Sequence, residues 1–173
     1  MKPVVIDTNV AVVANRHADH ISDLGCVEKC IEVLAEIVSS GRVCIDDCNI
    51  ILGEYRKHLS PSGQPGTGDL FFKWLWNNQG NVGRVQQVRI TPKEDNSDDF
   101  EEFPVDDSLK DFHRKDRKFV AVALASGLNP CILNASDTGW WKYRNVLKEH
   151  GCLVKFLCPQ LMAGGAYITV KCI

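Results

Sequence analysis

The sequence predicts an α/β domain with a central, mostly parallel sheet. Short apolar runs alternate along the chain with amphipathic helical patterns, the signature of strands joined by helical crossovers. The first apolar run leads directly into Asp7, and a later one, in "CILNASD", has Asp137 at the same end. At 173 residues, 45% hydrophobic and 24% charged, the chain has the size and composition of one domain over 1–173 with a substantial core.

Val4 to Ile6 of "VVIDTNV" reads as a buried strand ending at Asp7. From 22 to 39, Leu24, Val27, Ile31, Leu34 and Val38 recur every three or four residues, predicting a helix that Gly41 ends. "RVCI" predicts a second strand. "DDCNIILGEYRKHL" predicts a helix capped by Asp46 or Asp47, with Ile51, Leu52, Tyr55 and Leu59 on its apolar face and Glu54 at the margin. "SPSGQPGTGD", 60–69, reads as a flexible Gly/Pro-rich insertion. A helix over "DLFFKWLWNN" and a strand over "VGRVQQVRIT" follow, then an acidic loop or edge strand within 93–111. "DRKFVAVALASG" predicts a helix with Phe119, Val120, Ala123 and Leu124 facing the core, stopped by Gly127. "PCILN" is the next strand, "TGWWKYRNVLKEHG" a helix ended by Gly151, and "CLVKFL" the last strand before "CPQLM". The tail "GGAYITVKCI" is compatible with an edge strand but has no placement from sequence.

No apolar run approaches the roughly 18 residues of a membrane span, and the start has no long apolar signal region. The expectation is a soluble, cytoplasmic protein without membrane contact. The eight cysteines include no CxxC pair, so reduced, mostly buried thiols are expected. A zinc site from the two CxxxC pairs is the weaker alternative. The net charge of −2 gives no global footprint for nucleic acid. Basic residues nevertheless cluster in "EYRKH" and "HRKDRK", each beside an acid placed on or near an apolar helix face.

Those two acids, Glu54 and Asp116, stand with Asp7 and Asp137 as four carboxylates that leave core elements where strands meet helix starts. In parallel sheets, ligands collect beyond the carboxyl ends of the strands. Clustered carboxylates repel one another, and a divalent cation with oxygen ligands resolves the repulsion.

The ordered set "VVIDTNV", "ILGEYRKHL", "DRKFVAVALASG" and "CILNASDTGWW" followed by "CLVKFLCP" resembles the PIN-domain family of metal-dependent nucleases across nearly the whole chain. It departs from that pattern at Ala135, where the family often has Ser or Thr, and in the length of the segments after Ser60 and Thr91. The resemblance implies a three-layer α/β/α fold and an Mg²⁺- or Mn²⁺-dependent endoribonuclease that leaves 5′-phosphate and 3′-hydroxyl ends, with DNA not excluded as substrate. It implies Asp7 and Asp137 as principal metal ligands, Asp116 as a binding or sharing ligand, and Glu54 as a ligand through water or an orienter of the nucleophile. Asn9 and Ser136 are supporting candidates. Arg56, Lys57, Arg114, Lys115, Arg117 and Lys118 are candidate phosphate contacts. Trp140 and Trp141 are candidates for stacking a base, with core packing as the alternative. His113 is a candidate substrate contact, with an ordinary surface histidine as the favoured alternative. A toxin-like or defence role, an inhibitory protein partner and a homo-oligomer stay open. The rival readings are a non-catalytic PIN-like module binding RNA or protein, and a phosphatase using Asp7 as nucleophile; Asn9 stands where the phosphatase typically needs a second aspartate.

Overall fold

The computed structural model describes residues 2–15 and 23–162. A five-stranded sheet in the order β3-β2-β1-β6-β7 forms its centre. The strands are β1 (Val4–Ile6), β2 (Val43–Asp46), β3 (Val85–Val88), β6 (Cys131–Asn134) and β7 (Leu153–Phe156), and every pairing is parallel. Helices α1 (Thr8–Ala14), α2 (Leu24–Ser40), α3 (Ile50–His58), α4 (Thr67–Asn78), α5 (Arg117–Ala125) and α6 (Thr138–Glu149) flank the sheet, in keeping with a three-layer α/β/α arrangement. A small antiparallel hairpin, β4 (Pro92–Lys93) with β5 (Asn96–Phe100), forms the first part of the acidic segment, in line with the strand alternative of that expectation. Among the described residues no helix is long and apolar enough to cross a membrane.

The three central strands β1, β2 and β6 are buried on both faces, so three or four residues suffice to anchor each, whereas β3 and β7 at the sheet edges are only partly buried. Val4, Val5 and Ile6 pair with Cys131, Ile132 and Leu133, and the Asp7 amide donates to the Leu133 carbonyl at 2.9 Å. The ladder therefore runs one residue past the strand and fixes the backbone of the first acid.

Helix α2 begins at Leu24, which is 67% exposed, and the buried face is Cys26, Val27, Cys30, Leu34 and Ile37. Of the predicted stripe, Val27 and Leu34 are buried and Ile31 and Val38 pack partly buried against the core; Leu24 alone stays out, because it occupies the first helical position, where the helix has not yet reached the core. The expectation of reduced cysteines is also corrected, since Cys26 and Cys158 form a disulfide across α2 and the segment after β7. The tail 164–173 lies outside the described residues.

The segment 60–69 is not a free loop. Asp69, almost fully buried, accepts from the Ser60 amide at 2.7 Å and the Gly66 amide at 3.0 Å, and α4 already starts at Thr67. Gly68 sits where α4 meets α1. Its amide donates to Asn15 Oδ1 at 2.8 Å, and a Cβ there would lie 2.0 Å from the Ala11 carbonyl oxygen. Backbone cannot yield as a side-chain end can, so Gly68→Ala is expected to cost about 1–3 kcal/mol through overpacking. Urea unfolding checks this, and an unchanged midpoint would show that the helices separate freely.

Candidate functional site

Strand order places the first and last acids together. From β1 the chain builds outward to β2 and β3, then returns to β1's other side for β6 and β7, so β1 and β6 flank the topological switch point. Crevices open at such a point, beyond the carboxyl ends of the strands. Asp7 follows β1 and Asp137 lies three residues beyond β6.

One buried amide ties these two acids. Asn134, at the end of β6 and fully buried, donates from Nδ2 to Asp7 Oδ2 at 3.0 Å, and its Oδ1 accepts from the Asp137 amide at 2.9 Å. Asp7 Oδ1 accepts from the Asn9 amide at 3.0 Å, so the carboxylate caps α1 while facing the site. Asp137 Oδ1 likewise caps α6, accepting from the Gly139 amide at 2.6 Å and the Trp140 amide at 3.3 Å. Both acids are therefore helix caps: Asp137 caps through Oδ1 alone, whereas both oxygens of Asp7 accept a hydrogen bond, Oδ1 from the Asn9 amide and Oδ2 from Asn134. The Asn9 side chain does not touch the carboxylate: its Oδ1 accepts from the Ala135 amide at 2.9 Å and binds the turn after β6 to α1. Ser136 lies half-buried on that turn.

Asp116 precedes α5 but makes no side-chain capping bond, which frees its carboxylate. His113 Nδ1 lies 3.4 Å from its Oδ2. Glu54 comes from α3; its Oε1 accepts from Thr8 Oγ1 at 3.0 Å and its Oε2 pairs with the buried ammonium of Lys118. Lys118 also donates to the Lys115 carbonyl.

The electrostatics show that the four acids sense one another. Burial, the charge of Asp116, and then those of Asp137 and Glu54 push Asp7 up to about 8, against the lowering effect of the Asn9 amide. Asp116 is pushed up to about 6, chiefly by burial, with Asp137 and Glu54 adding to the rise and His113 and Lys118 opposing it. A cluster that pushes one carboxyl up to about 8 and a second to about 6 is short of positive charge, and oxygen-only donors suit Mg²⁺ or Mn²⁺. The acids are not packed as a tight chelate, however. Among the described residues, the group of metal-capable side chains whose ligand atoms all lie within 4.8 Å is Cys26, Cys30 and Cys158. Wider carboxylate spacing fits a cation that keeps several waters and takes few protein ligands, as Mg²⁺ does.

Several proposed substrate contacts change meaning. Arg117 is buried, pairs with Asp99 at 2.9 Å and donates to the Lys110 carbonyl at 2.9 Å, so it is a structural clamp and unavailable to phosphate. Lys118 is committed to Glu54. Trp140 is fully buried against Phe112 and Phe119 and cannot stack a base. Trp141 is covered by the Arg144 guanidinium, 4.0 Å from its ring centroid, and packs edge-on against Phe156. Arg56, Lys57, Arg114 and Lys115 are exposed and free to meet a polyanion.

Asn134 and Thr8 were not singled out in the sequence. The signal for Asn134 was present: an amide closing an otherwise apolar buried strand needs partners.

A scan against family models, a search of curated proteins and a search of solved structures each found no match to the chain.

Proposed function

We propose that the protein is a divalent-metal-dependent nuclease acting on RNA. The observation that carries this reading is that Asp7 and Asp137 sit beyond the two strands of the switch point, linked through Asn134, with Asp116 and Glu54 within electrostatic reach. A switch point is where a parallel sheet opens a crevice, and the acids would give it a chemistry.

Asp7, Asp137 and Asp116 would hold the Mg²⁺ or Mn²⁺, with Glu54 beside them. Bound there, the cation supplies positive charge that lets water ionise near neutral pH and that stabilises charge on a phosphodiester. The chain's own residues set the stage. Asn134 and the α1 and α6 amides fix the two strand-end carboxylates, which limits the reorganisation needed when substrate arrives. Glu54, held by Thr8 and Lys118, would ligate the cation through water or orient the nucleophile. Arg56 and Lys57 on α3, and Arg114 and Lys115 before α5, offer phosphate contacts on either side of the acids. Cleavage leaves a 5′-phosphate and a 3′-hydroxyl.

One observation favours a second reading, a non-catalytic RNA- or protein-binding module: the Lys118 ammonium already neutralises Glu54 from within the chain. Labelled RNA and DNA incubated with Mg²⁺, Mn²⁺ or chelator, followed by end-group determination, separates the two. Expected is metal-dependent cleavage of RNA that Asp137→Asn lowers on the order of 10²–10⁴-fold. Cleavage persisting in chelator excludes the metal mechanism. RNA binding without cleavage establishes the module.

A further inference from the structure

Away from the carboxylates, three cysteines meet in the core. Cys26 and Cys30 lie one turn apart on the buried face of α2, and Cys158 reaches them from the segment after β7. All three are completely buried, and their sulfur atoms lie within 4.8 Å of one another. Cys26 and Cys158 are joined as a disulfide, while Cys30 is a free thiol. This trio is not the pair of CxxxC motifs that the sequence offers, since Cys44 belongs to β2 and Cys48 is exposed.

We propose that reduction of the Cys26–Cys158 bond turns this cluster into a three-thiolate site for one thiophilic d¹⁰ cation, with Zn²⁺ the fitting ion and Cys30 its third ligand. A zinc–sulfur bond is about 2.3 Å, so three sulfurs around one ion stand roughly 4 Å apart, a spacing the cluster reaches once the disulfide opens. The balance is closed. A phosphine or dithiol reductant supplies two electrons, two protons complete the Cys26 and Cys158 thiols, and metal binding releases three protons as three thiolates form.

The surroundings select the kind of ion. Cys30 is completely buried, so only a cation that sheds its water and binds sulfur strongly enough to displace the thiol proton enters. Cys26 lies in the first turn of α2, where the positive end of the helix favours thiolate. Hard Mg²⁺ has no affinity for such donors, which keeps this site chemically separate from the carboxylates. The oxidised and metal-bound states are mutually exclusive, because the disulfide consumes two of the three ligands.

Cd²⁺ tests the site through its thiolate-to-metal charge-transfer band, read on the full chain before and after anaerobic phosphine reduction. Expected is about one more Cd²⁺ per chain in reduced wild type than in reduced Cys30→Ala, and little difference between the two when oxidised. Cys48→Ser, which removes an exposed thiol elsewhere, should leave that difference intact. Zn²⁺ should raise the Tm of the reduced wild type and not that of reduced Cys30→Ala. Equal stoichiometry in reduced wild type and Cys30→Ala overturns the proposal, as does equal binding by oxidised and reduced wild type. A reduced chain that loses its far-ultraviolet dichroism supports the proposal if Zn²⁺ restores it in wild type but not in Cys30→Ala, and overturns it otherwise.

Discussion

Asp7→Asn is expected to lower metal-dependent cleavage of RNA by on the order of 10²–10⁴-fold, and to flatten the pH dependence of stability between about pH 6 and 8. The second effect follows from the carboxyl's environment. In the unfolded chain Asp7 titrates near 3.8, and in the fold it is pushed up to about 8. The native state thus binds a proton that the unfolded state has released. The stability associated with the protonated form is complete below the unfolded value and is lost as pH rises through the folded one. Asp116, pushed up to about 6, contributes in the same direction at lower pH, so the interval from 6 to 8 belongs mainly to Asp7. Asparagine removes that penalty. It also sets an amide against Asn134 Nδ2, which now donates to Asp7, and forfeits about 1 kcal/mol of hydrogen bonding. The two stability curves should therefore cross: the variant melts below wild type at pH 5 and above it at pH 8.5. Mn²⁺ should raise the wild-type Tm at pH 8.5 and have little effect on the variant. Parallel curves at all pH values, together with retained cleavage, would falsify a role for Asp7 as the buried carboxylate of a cation site.

The elements that came through from sequence are those whose burial is written locally. Strand β1 is a continuous apolar run, β6 is one up to its closing Asn134, β7 is apolar apart from Lys155, and α3 shows Ile51, Leu52, Tyr55 and Leu59 on one face, all of them buried. What sequence could not show was how completely α5 is enclosed. Every residue from Arg117 to Ala123 is buried, because α5 lies against β1, β2, β6 and the β4–β5 hairpin together. A basic pair at the start of such a helix cannot remain in water. Arg117 and Lys118 each turn inward to an acid, Asp99 and Glu54, supplied from elsewhere in the chain. Charge runs read as solvated faces on average, and only the tertiary enclosure reverses that rule here.

The same reasoning separates the parts of the site. Asp7 and Asp137 were legible because a strand end is a local feature and the switch-point rule says where strand ends matter. Asn134 needed the pairing of β1 with β6 before its two partners could be seen. Glu54 was legible as an acid at a helix margin, yet its ion pair depends on α3 meeting the start of α5. Positions of carboxylates are thus set by periodicity, whereas their charge states are set by contacts between distant segments.

Arg117→Met is expected to cost about 3–5 kcal/mol, among the largest losses that a single buried charge can produce. The guanidinium pairs with Asp99 Oδ2 at 2.9 Å, donates to the carbonyls of Leu109, Lys110 and Phe112, and lies 4.5 Å from the Phe103 ring centroid. Methionine keeps most of the side chain's apolar contact and removes every polar one. Asp99 is then left largely enclosed, with only Lys93 at 3.5 Å as a cationic partner. Burial alone would push the Asp99 carboxyl up; bonds from Arg117 and the Phe100 amide, with the charges of Arg117 and Lys93, hold it below the usual range. The pair's contribution is accordingly present above the unfolded carboxyl's range and lost as pH falls through the lower folded value. Wild type and Arg117→Met should therefore converge in acid and diverge at neutral pH, read from urea midpoints with similar slopes. Because Arg117 directly follows Asp116, losing the clamp should also lower RNA cleavage at temperatures where the variant remains folded. A loss below about 1 kcal/mol, the level of an exposed ion pair, would mean that the hairpin and α5 are held by apolar packing alone, with Arg117 a bystander in its own cluster.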